Sequence, residues 1–200
     1  MAGRNHSRQL TSAIEQLFVL STNTRDQISA VAVALGPGSF SGLRVGISEA
    51  KGIAMALNVP LVGVNTLDLV AWQCRTCAPR VWCAVLGGRG DIAAAGYRLE
   101  RSQPERETDY VLEPIARVAG RIKAPAYVAG PAAQDLFDAL DDKDGITVER
   151  GAARLRRAGF LAELGRLYLD SGGKDQLFEL EPLYLRQSAA EEKRSAHQRE

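Results

Sequence analysis

The chain has 200 residues, 46% of them hydrophobic, with 25 Lys and Arg against 24 Asp and Glu for a net charge of +1. That length suits one large domain or two small ones with a real core, and the charge balance gives no general pull toward nucleic acid or a membrane surface. The polar start, residues 1–10, lacks the apolar core of a signal peptide, and no apolar run reaches the roughly 20 residues of a membrane-spanning helix. The expected compartment is the cytoplasm.

In chain order, Leu10, Ile14, Leu17 and Phe18 recur at helical spacing, with Asn5 or Ser7 available as cap. Residues 28–35, ISAVAVAL, form a continuous β-compatible run that suits a strand buried on both faces. A second helix follows to residue 57, then a strand at 60–64 and a helix at about 66–77. Helix and strand alternating in this way argue for an α/β layer with parallel strands. Beyond Pro79, RVWCAVL and DIAAAGYRL flank Gly87, Gly88 and Gly90 and predict two strands joined by a turn. The remaining expectations are a helix over 112–121, a strand at 124–130, a short helix at 134–140 and one long helix over 152–170, stopped by Ser-Gly-Gly. A charged, disordered tail is expected from Gln187. No internal repeat stands out. A soft boundary near Pro79 divides the chain into residues 1–78, residues 79–186 and the tail.

The stretch LGPGSFSGLRVGISEAKGIAMAL, residues 35–57, looks at first like a phosphate loop. A Walker-type loop needs Gly-Lys-Ser/Thr opening its helix, and here Gly42 is followed by Leu43 and Arg44. Instead, Gly42, Gly46, Ala50 and Ala54 form a row of small residues at steps of four, which leaves a groove for another helix. Helical glycines each cost ~1 kcal/mol relative to alanine, so packing has to hold this helix. Two features still resemble an anion site. The loop Gly36, Gly38, Ser39, Ser41 delivers backbone N–H groups at a helix N-terminus, and Arg44 sits in the first turn, where the dipole disfavours a cation. The preferred reading of Arg44 is an exposed arginine paired with a nearby acid, Glu49.

Cys74 and Cys77 have the C-x-x-C spacing of zinc and thioredoxin-like sites, with Cys83 beyond. A structural zinc wants four ligands, and the only histidines are His6 and His197. The pair is read as two small residues on a helix, and no metal or cofactor is expected. Arg150, Arg154, Arg156 and Arg157 make a charge run, read as a solvated face because no aromatics interleave it.

GPGSFSGLRVGISEAKGIAMALNVPLVGVNTLD resembles the signature of the TsaB family, the dimerisation subunits of the bacterial machinery that makes threonylcarbamoyladenosine in tRNA. The resemblance extends upstream to HSRQL and downstream to EPLYLR, where Pro182, Tyr184 and Arg186 match a terminal motif read as a tie-down of the chain end. It implies an actin/hexokinase-like (ribonuclease-H-like) α/β fold of two duplicated subdomains. It also implies a non-catalytic subunit that binds a catalytic TsaD-like sibling through its first two helices, so that Leu10, Ile14, Leu17, Gly42, Gly46, Ala50 and Ala54 become interface residues. A TsaE-like ATPase completes such complexes, tRNA is reached only through the complex, and a homodimer stays open as an alternative.

Members of that family usually begin with three strands before the first helix, so the first subdomain reads as N-terminally truncated. The natural product is expected to extend upstream by about 40–50 residues, and the uncovered sheet edge to favour poor solubility or dimerisation. Where the family often has an Asp and a Tyr, this chain has Leu86 and Ala93, which weakens any small-molecule role there. The alternative functions are an ATP-dependent kinase or a metal-dependent transferase or protease of the same fold. The first needs an acidic residue on a leading strand and the second a histidine pair.

Overall fold

The computed structural model describes residues 6–99 and 104–185. Asn5, Arg186, His197 and the expected tail lie outside the described residues. Helix α1 (His6–Leu20) leads through a 3-10 turn at Arg25–Gln27 into β1 (Val31–Gly36), α2 (Phe40–Leu57), β2 (Leu61–Asn65) and α3 (Thr66–Gln73). Then come β3 (Arg80–Gly88), β4 (Asp91–Arg98), β5 (Glu105–Arg106), β6 (Val111–Pro114), α4 (Ile115–Ala119), β7 (Ala126–Ala129), α5 (Ala133–Asp138), β8 (Ile146–Val148) and α6 (Ala158–Asp170). Among the described residues no helix is long and apolar enough to cross a membrane.

The strands form two sheets. In the first, β1 and β2 run parallel, Val31 opposite Leu61. One face, with Val31, Val33 and Leu61, packs under α2 through Ile47, Ala50 and Ala54, and Leu180 closes this core. The other face meets α6, where Gly165 lies against Ala32 so tightly that a Cβ would come within 2.8 Å of the alanine methyl. The outer edge of β2 is capped by the C-terminal segment: Asp175 and Gln176 side chains accept the N–H groups of Leu61 and Gly63, each at 2.8 Å. These two side chains stand in for a neighbouring strand. The outer edge of β1 pairs with no strand among the described residues.

The second sheet runs β5-β4-β3-β7-β8, with β6 also on β4. Strand β4 is antiparallel to β3, whereas β7 and β8 run parallel to it in turn. The hairpin turns at Arg89 and Gly90, with φ of +57° and +84°, the left-handed pair that a two-residue turn between twisted strands requires. Helix α3 covers one face through Leu67, Val70, Ala71 and Cys74, and α4 and α5 cover the other through Val118 and Leu136.

One local pattern recurs between the two sheets. β1 ends at Gly36 and β7 is followed directly by Gly130, each glycine preceding a proline and held at φ of +111° and +99°. Each then leads through a helix to a parallel strand beside it. Beyond that dipeptide the two stretches share little sequence, which is why no periodicity showed.

Three elements differ from expectation. The helix over 112–121 begins as strand β6, because Pro114 lacks an N–H and holds Glu113 extended; only Ile115–Ala119 is helical. The long helix over 152–170 is broken into a 3-10 turn at Gly151–Arg154 and α6. Arg154 is drawn inward there, its Nε donating to the Glu149 carbonyl at 2.7 Å and its Nη2 to Gln134 at 2.8 Å. That arginine is therefore a structural link and no part of a solvated run. Helix α3 ends at Gln73, with Cys74 as its cap and Cys77 in the turn beyond.

Candidate partner-binding site

Helix α1 lies against α2 and leaves much of its apolar surface open. Its spacing puts Ile14 and Phe18 on a half-buried side, while Leu17, Val19 and Leu20 are 65%, 83% and 84% exposed. Thr11 donates to Glu49 of α2 at 2.8 Å, joining the helices by a side-chain hydrogen bond. A depression of about 500 Å³ lined by Ile14, Leu17, Phe18, Thr24 and Ile28 opens beside these residues.

On α2 the row of small residues splits between two sides. Ala50 and Ala54 are only 6% and 1% exposed and belong to the chain's own core with Leu61 and Leu180. The expectation that they present a groove to another chain is corrected accordingly: β1, β2 and Leu180 fill it from within. Gly42 is exposed and Gly46 half-buried, and a Cβ built at Gly46 or Gly52 meets nothing within 4 Å. Leu10 is half-buried on α1. On the side of α2 that carries Glu49, Gly46 is open to a further side chain, and Leu17 and Leu20 are exposed on the neighbouring α1; Gly52 and Met55 lie elsewhere around α2.

The loop before α2 is built for shape. Gly36 is buried, and a Cβ there would meet Leu43 at 2.9 Å and the Leu183 carbonyl at 3.0 Å. Gly38, Ser39 and Ser41 are exposed. Ser39 caps α2, its Oγ accepting the Gly42 N–H at 3.4 Å and its carbonyl the Leu43 N–H at 2.9 Å. Part of the supposed anion cradle is thus taken by the cap. Arg44 does not pair with Glu49 as expected. Its guanidinium lies 4.0 Å from the centroid of the Phe40 ring, and its Nε donates to the Tyr184 hydroxyl at 2.9 Å, while Phe40 and Tyr184 stack at 4.7 Å. These contacts tie the C-terminal segment to α2, and the Leu183 N–H adds a bond to the Leu35 carbonyl at 2.8 Å. Residues separated by 140 positions meet here, and nothing local in the sequence signals it.

Leu86 is exposed and Ala93 buried on the second sheet. Among the described residues no group of three His, Cys, Asp or Glu side chains is placed to hold a metal.

The family model for TsaD, tRNA N6-adenosine threonylcarbamoyltransferase, matches residues 1–151. The chain belongs to this TsaD family. Among its relatives is the tRNA threonylcarbamoyladenosine biosynthesis protein TsaB of Escherichia coli K12, 26% identical over 94% of this chain and 83% of that protein. The tRNA N6-adenosine threonylcarbamoyltransferase of Carboxydothermus hydrogenoformans is 31% identical over 80% of this chain, but only 48% of its own length is matched. The chain thus spans most of the TsaB relative and about half of the transferase. A solved structure of YeaZ from Pseudomonas aeruginosa superposes with a TM-score of 0.77 at 22% identity, covering 90% of this chain and 85% of that one. A second Pseudomonas aeruginosa protein, similar to peptidase YeaZ, gives 0.78 at 23% over 92% and 85%. The fold of this TsaD-family chain is the α/β architecture of these two Pseudomonas aeruginosa structures.

Proposed function

We infer that this chain is a partner subunit in the formation of threonylcarbamoyladenosine on tRNA, and that it works by binding a TsaD-like catalytic subunit. The observation that carries the reading is the open apolar surface of α1 beside the vacant Gly46 position of α2. Leu17 and Leu20, one helical turn apart on α1, are 65% and 84% exposed, a contiguous apolar surface of the kind that marks a partner site. A facing helix could approach α2 closely at Gly46, where no Cβ stands. The long match to a TsaB relative supports a partner role over a catalytic one, and the missing lysine after Gly42 speaks against phosphate-loop chemistry in this chain. Binding to a TsaE-like ATPase, contact with tRNA only through the complex, and residence in the cytoplasm belong to the same proposal. A homodimer through the α1–α2 face is the state in which the free chain would cover that surface.

Reconstitution tests it. A TsaD-like subunit from the same host is incubated with the ATPase, the carbamoyl-donor system and unmodified tRNA, with and without this chain. Modified adenosine should form only with the chain present, and the chain alone should turn over no ATP. Equal modification without it would remove the proposed role.

A further inference from the structure

Where α3 ends, two thiols stand over a buried carboxylate that the proposed partner role does not use. Cys74 caps the helix and is fully buried, while Cys77 is exposed, and both are free thiols. The Cys77 N–H donates to the Cys74 carbonyl at 2.8 Å, so the pair spans a hydrogen-bonded turn. Such a turn keeps its end Cα atoms within about 7 Å, the range a disulfide can bridge.

Beneath them lies Glu149, 4% exposed and following β8. The Cys74 thiol donates to its Oε1 at 3.6 Å, and the Gly130 N–H donates to its Oε2 at 2.8 Å. Arg154 bonds the Glu149 carbonyl, and among the described residues no cation pairs with the carboxylate. The Cys74 thiol thus holds its proton against Glu149 Oε1, which places a carboxylate oxygen where that proton would go if the sulfur became a nucleophile. Among the described residues the pair has no further ligands for a metal.

We propose that Cys74 and Cys77 form a thiol–disulfide exchange site for small disulfides, with Cys77 as the attacking thiol, Cys74 as the resolving thiol and Glu149 as its proton acceptor. The Cys77 thiolate attacks one sulfur of the incoming disulfide, whose S–S bond breaks, and one thiol leaves with a proton. Cys74 then passes its proton to Glu149 and attacks the Cys77 sulfur. The Cys74–Cys77 bond forms, the second thiol leaves with that proton, and the protein has lost two electrons to the disulfide. Burial first, and then the Glu149 charge, hold the Cys74 thiol well above its usual range, so it stays protonated until this step.

The other groups facing the pair come from neighbouring strands. Cys83 on β3 is itself pushed up, chiefly by burial, and Tyr127 on β7 is pushed up to about 12 by burial and then by Cys77 and Glu149. Both are neutral near pH 7, which leaves Glu149 as the base facing Cys74. A depression of about 340 Å³, lined by Ala78, Pro79, Arg80, Pro125 and Thr147, starts at the residue that follows Cys77 in the chain and offers room for a small disulfide, with Arg80 on its wall paired to Glu107 at 3.5 Å.

The test is oxidised glutathione added to the reduced full-length chain, followed by intact-mass measurement and peptide mapping. Wild type should gain one glutathione at Cys77 and then release it, ending two hydrogens lighter with a Cys74–Cys77 bond. Cys74→Ala should remain glutathionylated, Cys77→Ser should not react at this turn, and Glu149→Gln should close on the order of a hundredfold more slowly. Because Glu149→Gln can fail to fold, the wild-type closing rate is also followed from about pH 7 to about pH 9. With an internal base it stays flat, whereas without one it climbs about tenfold per pH unit as the thiol itself is titrated. An unreactive Cys77 or a persistent mixed disulfide in wild type would overturn the site, and the steep pH profile would remove Glu149 from it.

Discussion

At Gly130 the backbone turns with φ of +99°, and a Cβ there would stand 2.5 Å from the Ala84 carbonyl. The same residue holds Glu149 through its N–H. Gly130→Ala combines a strained conformation with a backbone clash, and each such feature costs about 1–3 kcal/mol. Its denaturant midpoint should fall clearly below that of wild type. Gly46→Ala is the contrasting case, since the helix there has space for a methyl. It should stabilise the free chain by up to ~1 kcal/mol, read in the same titration. Tyr97 supplies a pH dependence. Burial and then Asp68, which accepts its hydroxyl at 2.7 Å, raise its pKa well above the usual value near 10. The unfolded chain therefore releases this proton first, so the stabilisation is complete below about pH 10 and is lost as pH rises beyond it. Tyr97→Phe should be less stable at neutral pH and should flatten the alkaline loss, measured as melting temperature against pH.

Among the elements, α1 depends most on something outside itself. Its 15 residues are about the length at which an isolated helix is marginal in water, and much of its apolar surface is open. Its amides should exchange faster with deuterium than those of α2 in the free chain, and should gain protection when the TsaD-like subunit is bound. Equal protection of both helices in the free chain, unchanged by the partner, would mean α1 is fully supported from within.

How much of this was legible follows from where each signal lies. The β3–β4 hairpin is written locally, in two apolar runs on either side of Gly88 and Gly90, and the alternation of α1, β1, α2, β2 and α3 is written in their spacing. Strand β6 was masked because the apolar residues from Leu112 to Val118 mimic a helix period, and only Pro114 betrays the break. The small-residue row on α2 was visible, but the side of Ala50 and Ala54 depended on Leu180, more than a hundred residues away. Arg44 meeting Tyr184, and Cys74 meeting Glu149, are products of the tertiary fold with no local trace.

For the whole molecule, the two sheets share α3, which packs on the second sheet through Val70 and against the first sheet's outer core through Leu69. Trp72 donates to Glu163 of α6 at 2.8 Å, joining the same two layers. The molecule therefore presents the α1–α2 face from a braced support, and it is that face which the account assigns to a partner. Light scattering coupled to size-exclusion chromatography, on the chain mixed with a TsaD-like subunit from its host, tests this most directly. Wild type should elute as a one-to-one complex, while Leu17→Glu and Gly46→Leu, both at open positions and folded as judged by circular dichroism, should elute as separate proteins. A complex that forms equally well with both variants, or no complex with wild type, would contradict the assignment.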